Sequence, residues 1–124
     1  MIEPIFSKPE IHEKNWGREL WIHNSEKYCG KILEFNENCY FSSHFHLKKE
    51  ETWYVLSGKL NMEYFDLTKA EKISKIISEG DVIHMVPGVI HKLTALSSSK
   101  ILEVSTQHFE EDSYRIEKSI QKQS

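Results

Sequence analysis

Residues 44–58 read His44-Phe45-His46-Leu47-Lys48-Lys49-Glu50-Glu51-Thr52-Trp53-Tyr54-Val55-Leu56-Ser57-Gly58. Runs rich in aromatic and β-branched residues flank the polar turn candidate Leu47-Lys48-Lys49, so the segment reads as two strands. In a strand, residues i and i+2 point to the same face. His44 and His46 therefore project together, about 7 Å apart at Cα, and two rings at that spacing can close on one ion. A carboxylate opening the returning strand can sit beside them. Glu50 and Glu51 are both candidates, and as strand neighbours they face opposite ways. Taken alone, a His pair on a strand is more often a solvated surface feature.

Strand-like runs recur outward from this segment, at 18–23, 28–35, 39–46, 51–56, 59–67, 81–86, 91–96 and 100–106. Turn signals separate them, among them Asn24-Ser25, Ser57-Gly58, Glu79-Gly80 and Pro87-Gly88. Many short strands at intervals of about ten residues predict an all-β sandwich or barrel. Residues 67–77 also show a helical period through Leu67, Ala70, Ile73 and Ile76-Ile77, but the neighbouring strands favour a strand over 72–77. Pro4 and Pro9 mark residues 1–14 as an extended, poorly structured arm. Residues 15–117 form the domain. The polar stretch 107–124 reads as a fraying tail, with 118–124 as the C-terminal tail proper.

The chain has 124 residues, enough for one domain with a folded surface of roughly 7,000 Å². At 39% hydrophobic, the core is lean, which suggests a polar pocket or a core completed by a second chain. The 16 basic and 19 acidic side chains give a net charge of −3, and no basic run is long enough to track nucleic acid. No apolar stretch approaches the ~18 residues of a membrane span. The N-terminal residues lack the apolar core of a secretory signal, so a cytoplasmic location with Cys29 and Cys39 as free thiols is expected. The run 18–22 reads as an edge strand open to another chain, and a homodimer is expected.

The spacing is more specific than the composition. His44-Phe45-His46 is followed after four residues by Glu51 and after six more by Gly58; downstream stand Gly80-Asp81, Pro87-Gly88 and, two residues later, His91. This resembles the two sequence motifs of the cupin superfamily, over residues 38–95. The resemblance implies a double-stranded β-helix, or jelly-roll barrel. It further implies His44, His46, Glu51 and His91 as ligands of a divalent metal inside that barrel, with Glu51 preferred to Glu50 by its distance from Gly58. Asn38, Val86 and Ala95 stand where the motifs have Gly, Pro and Asn, departures that touch turn geometry and not the ligands. Three imidazoles and a carboxylate suit Zn, Fe, Mn, Ni or Co without choosing among them.

A narrower resemblance joins Asn15-Trp16-Gly17-Arg18, the Glu51-to-Gly58 run, Leu102-Glu103-Val104 and Phe109-Glu110-Glu111-Asp112-Ser113-Tyr114-Arg115. Together these are similar to the type II mannose-6-phosphate isomerase domain. Asn15 replaces that family's Pro, Ser105 its Gln, and its closing Asp-x-Tyr-Gly-Arg is missing. The similarity implies aldose–ketose isomerisation of a sugar phosphate through an enediol, with a metal polarising the carbonyl and a nearby base moving a proton. Candidates for the base are Glu103, His84 and Tyr40. Glu103 is exposed if Leu102 and Val104 face the core, and His84 either lines the pocket or is a satisfied buried histidine. Lys92 starts on the face opposite His91, and Arg115 closes over the mouth if the acidic tail docks. Trp53 and Trp21 read as core aromatics; His12, His23 and His108 read as solvated. The alternatives are a non-catalytic sugar- or metabolite-binding cupin and an Fe(II) oxygenase.

Overall fold

The computed structural model describes residues 2–116. Alternation builds its strands: along Cys29–Phe35, every second side chain is buried and those between are half-buried. Eleven strands result: β1 (Glu10–Lys14), β2 (Gly17–Asn24), β3 (Cys29–Phe35), β4 (His44–Phe45), β5 (Glu51–Ser57), β6 (Lys59–Asp66), β7 (Glu71–Ser78), β8 (Val82–Met85), β9 (His91–Ala95), β10 (Ser99–Ser105) and β11 (Tyr114–Arg115), with one 3₁₀ turn at Glu110–Asp112. They form two sheets, a six-stranded one ordered β1-β2-β3-β10-β5-β8 and a five-stranded one ordered β11-β4-β9-β6-β7. The inner faces meet over Trp53, Val55, Leu60, Leu93 and Ile101, each almost wholly removed from water. Burial of side chains this size contributes about 2–3 kcal/mol apiece. Aromatic and aliphatic residues fill one part of the interior, and the histidines lie in the other.

The expected all-β jelly roll is present, with local differences. Within the N-terminal arm, Glu10–Lys14 pairs with β2 along its whole length. The open edge is therefore β1, and the run 18–22 is a covered strand. The expected strand 39–46 is broken. Phe41, Ser42 and Ser43 are all buried in succession, which a pleated strand cannot do. Only His44–Phe45 joins a ladder, while Tyr40 makes an isolated bridge to Thr94. Residues 71–78 form a strand, as favoured over the helix, and pair with β6 from Lys59↔Ser78 to Asp66↔Glu71. The acidic stretch near the C-terminus is docked up to Arg115; residues 117–124, including the expected tail 118–124, lie outside the described residues. Cys29 and Cys39 are free thiols.

Two turns show why particular residues are needed. Gly58 joins β5 to β6 at φ +89°, where an added Cβ would stand 2.2 Å from Ser99 Oγ and 2.6 Å from the Ser98 carbonyl oxygen. Asn38, in place of the motif's Gly, holds φ +65°, a left-handed conformation that Asn tolerates better than most residues. Gly58→Ala is expected to lower stability by about 2–4 kcal/mol, since it meets both positive φ and backbone contact. Urea unfolding measures this; a loss below about 1 kcal/mol would mean that the hairpin relaxes around the methyl group.

Candidate metal centre

Strands β4 and β9 pair His44 directly with His91, and His46 follows two residues after His44. Each ring is oriented by its Nδ1. His44 Nδ1 lies 3.0 Å from the Ser42 carbonyl, His46 Nδ1 3.0 Å from the Asp112 carbonyl, and His91 Nδ1 2.9 Å from the Val89 carbonyl. A carbonyl oxygen only accepts, so each Nδ1 carries the proton and each Nε2 lone pair is free. One ligand nitrogen from each of the three lies within 4.8 Å of the others. Burial pushes all three imidazoles below the usual histidine range, His91 to about 4, so they are neutral at neutral pH, the form that ligates a metal.

Glu51 opens β5 and points inward, while Glu50 is exposed. Its Oε1 accepts the Trp53 indole N–H at 2.9 Å. Its Oε2 is buried without a hydrogen-bond partner and lies 3.5 Å from His46 Nε2. Two acceptor atoms thus face each other inside the barrel, an arrangement that a cation or a proton between them satisfies. The residues fit a divalent metal held by His44, His46, His91 and Glu51. Three of the four expected ligands form the tight group; Glu51 stands against His46 at its side. Burial, and next the charge of Glu103, raises the Glu51 carboxyl to about 8 when no metal is bound.

Beyond the histidines, the cavity of about 210 Å³ has charged walls. Glu103 faces inward, opposite Trp53 and Lys31, while Val104 is exposed. This reverses the orientation that puts Leu102 and Val104 in the core. What makes an inward carboxylate tolerable is a pair of buried lysines. Lys49 Nζ lies 2.7 Å from Glu103 Oε2 and 3.2 Å from His108 Nδ1. Lys31, 2% exposed, sits 3.3 Å from Glu19 and 4.2 Å above the Trp21 ring. Burial works against the Glu103 charge, but Lys49 and then Lys31 outweigh it and draw its pKa down. Neither lysine stood out in the sequence, because Lys48-Lys49 reads as a solvated turn. The available signal was alternation: Lys49 is two residues before Glu51, and Lys31 occupies an inward position between Cys29 and Leu33.

Asp112 is the other residue that sequence reading missed. Its Oδ1 accepts the backbone N–H groups of Leu47 and Lys48 at 3.0 and 3.1 Å, and its Oδ2 that of Lys49 at 3.1 Å. The same residue supplies the carbonyl that orients His46. Arg115, also in the docked segment, donates from Nη1 to Ser42 Oγ at 3.0 Å and lines the cavity, as expected of a docked tail.

Other expectations are corrected. His84 does not line the metal cavity. It pairs across from Thr52 on the outer face, 2.9 Å from Glu50 and 52% exposed in its side chain. The β5–β8 register that turns Glu51 inward turns Thr52 and His84 outward. Tyr40 is not among the cavity-lining residues; Lys92, on the face opposite His91 as expected, sits 4.3 Å over its ring. Trp53 is core and also steadies Glu51, whereas Trp21 lines the cavity, stacked on His12 at 4.0 Å. His108, expected in solvent, lines the cavity too. His23 is exposed and stacks on Tyr28.

A double-sheet barrel with imidazoles gathered in its interior defines a class of metal-site proteins. Residues 20–119 match the family described as Cupin, and the chain belongs to that family. Among solved structures it is similar to oxalate decarboxylase from Bacillus subtilis, with a TM-score of 0.77 and 16% identity over 93% of this chain and 33% of that one. A further structure of that decarboxylase concerns its Mn(II) centres. It is also similar to CapF, a capsular polysaccharide assembling protein from Staphylococcus aureus, with a TM-score of 0.75 and 17% identity over 90% of this chain and 33% of that one. This chain spans about a third of those chains, and identities this low speak for shared fold alone. No curated protein sequence matches it significantly. No helix among the described residues is long and apolar enough to cross a membrane.

Two expectations follow from the site. His44→Ala or His91→Ala should abolish metal binding, read by elemental analysis, with little change in circular dichroism; unchanged metal content in both variants would remove them as ligands. Asp112→Ala leaves three backbone donors without their acceptor and should cost about 2–4 kcal/mol. Asp112→Asn keeps one acceptor oxygen and should cost less, and equal losses in urea unfolding would argue against this role.

Proposed function

We propose that this cupin is a metal-dependent isomerase of a small sugar phosphate, interconverting aldose and ketose. The observation that carries the reading is Glu103, a second carboxylate, 3% exposed, next to the ligand carboxylate Glu51 and ion-paired with Lys49 at 2.7 Å. A divalent metal held by His44, His46, Glu51 and His91 would supply carbonyl polarisation. Among Zn, Fe, Mn, Ni and Co, the Mn(II) centres of the decarboxylase support manganese as the first to try.

Glu103 takes the role of base, removing a proton from one substrate carbon and returning it to the next. Lys49 keeps Glu103 ionised in the free protein. A substrate oxygen that draws Lys49 away loosens the ion pair and raises the basicity of Glu103 when substrate is present. Trp53 holds Glu51 in place, and Trp16, Trp21 and Phe41 supply apolar parts of the cavity wall. Charge balance favours a dianion. The cavity-lining carboxylates Glu19, Glu51, Glu103 and Glu110 are matched by the cations Lys14, Lys31, Lys49 and Arg115, so a divalent ion leaves two positive charges in excess. A phosphate monoester carries about that much negative charge.

A second reading, a sugar-binding cupin without turnover, is favoured by the same Lys49–Glu103 pair, which holds down the basicity of Glu103 in the free protein. The two separate in one assay. Metal-loaded protein is expected to interconvert mannose 6-phosphate and fructose 6-phosphate, and Glu103→Gln should lower kcat by about 100-fold or more with metal content unchanged. If no hexose or heptose phosphate turns over with any of the five metals, while such ligands still raise Tm, the binding reading replaces the isomerase.

A further inference from the structure

The two sheets part along one side of the barrel. β7 is the last strand of the five-stranded sheet and β8 the last of the six-stranded one, and no ladder joins them. Between them lies a groove of about 530 Å³ that shares no lining residue with the metal cavity. Its floor is the hydrophobic core itself, at Met62, Ile77 and Met85, and half-buried Ile83 and Val89 form its walls. A cleft of this volume, mostly apolar with a few polar groups, has the make-up of a small-molecule site.

The charged groups of the groove differ in how they are engaged. His84 is turned to Glu50 and Thr52. Asp81 accepts the Ser78 backbone N–H at 2.8 Å and so closes the turn into β8. Lys75 is unlike them. The β6–β7 register sets it opposite Met62, with Ile73 opposite Tyr64 and Ile77 opposite Leu60, so it starts from the inner face of the sheet. Among the described residues it has no hydrogen bond and no ion pair. An inward lysine on an edge strand keeps other strands from pairing there. Here the ammonium also stands over an open apolar cleft, where it can hold an anion whose tail the cleft covers.

We infer that this groove binds a medium-chain carboxylate, with its tail between β7 and β8 and its head on Lys75. One free ammonium matches one negative charge, and the Asp81 carboxylate in the same groove disfavours a dianion. The four residues of β8 span about 13 Å, the length of an extended chain of about ten carbons. The site depends neither on the metal nor on the proposed isomerisation.

An amide NMR titration of the protein with sodium decanoate tests this. The expected result is one site with Kd on the order of 0.1 mM and shifts centred on β7, β8 and the adjoining part of β6. Octanoate, two methylenes shorter, should bind about 10-fold more weakly. Lys75→Gln should weaken decanoate by about 10-fold and leave uncharged 1-octanol unaffected. Ile83→Trp fills the groove and should abolish binding of both; Val89→Phe replaces it if its amide spectrum shows that it does not fold. His91→Ala, which lacks a metal ligand, should bind decanoate as wild type does. No binding at millimolar decanoate, decylammonium binding as tightly as decanoate, or full affinity in Lys75→Gln overturns the proposal. Loss of binding in His91→Ala also overturns it, because the carboxylate then sits in the metal cavity.

Discussion

Three imidazoles gathered inside the barrel work as one site only if each keeps a lone pair turned inward, and that rests on the hydrogen bond from each Nδ1 to a backbone carbonyl. For His44 and His91, the carbonyl belongs to the residue two positions earlier, Ser42 or Val89, so the irregular approach to each strand supplies its own anchor. This explains why residues 41–43 leave the sheet: a regular strand would commit the Ser42 carbonyl to a ladder. His46 is different. Its anchor is the carbonyl of Asp112, 66 residues away in sequence. The orientation of one of the three imidazoles therefore depends on the docking of the C-terminal segment, and the Asp112 carboxylate secures that docking by capping the turn that leads from β4 to β5.

Around this centre, the interior tolerates an unusual number of charges for a small barrel. Lys31, Lys49, Glu51 and Glu103 are all buried, and so is Asp112. Each alone is expensive to desolvate; together they satisfy one another except at one point, the Glu51 oxygen that faces His46. A network left open at this carboxylate oxygen and at the inward imidazole nitrogens, where a cation would sit, is better suited to binding than to holding the barrel together. The aromatic and aliphatic core at Trp53, Leu60, Leu93 and Ile101 carries the fold, which leaves the charged half free to serve chemistry. The two halves meet at Trp53, which packs in the core and donates to Glu51.

Much of this was legible in the residues. Strand-like runs with turn signals marked an all-β chain, and β7 emerged as a strand in spite of its helical period because its neighbours were strands. Alternation put His44 and His46 on one face, and motif spacing picked Glu51 over Glu50. What alternation alone left open was the inward face of each strand. Glu103 and His84 were both plausible pocket residues, and neighbouring strands sent one in and the other out: the β10 register sets Glu103 against Lys31 and Trp53, while the β8 register sets His84 against outward-facing Thr52.

Local patterning is enough to form strands because it acts through period and propensity, both carried by consecutive residues. The same holds for the histidine pair, whose geometry follows from two positions on one strand. Partnership is another matter. That Lys49 neutralises Glu103, that Asp112 orients His46, and that Trp21 belongs to a cavity rather than a core all depend on residues distant along the chain. Burial of a charge is favourable only when its opposite arrives from another element, and which element arrives is settled by the register and packing of the whole barrel.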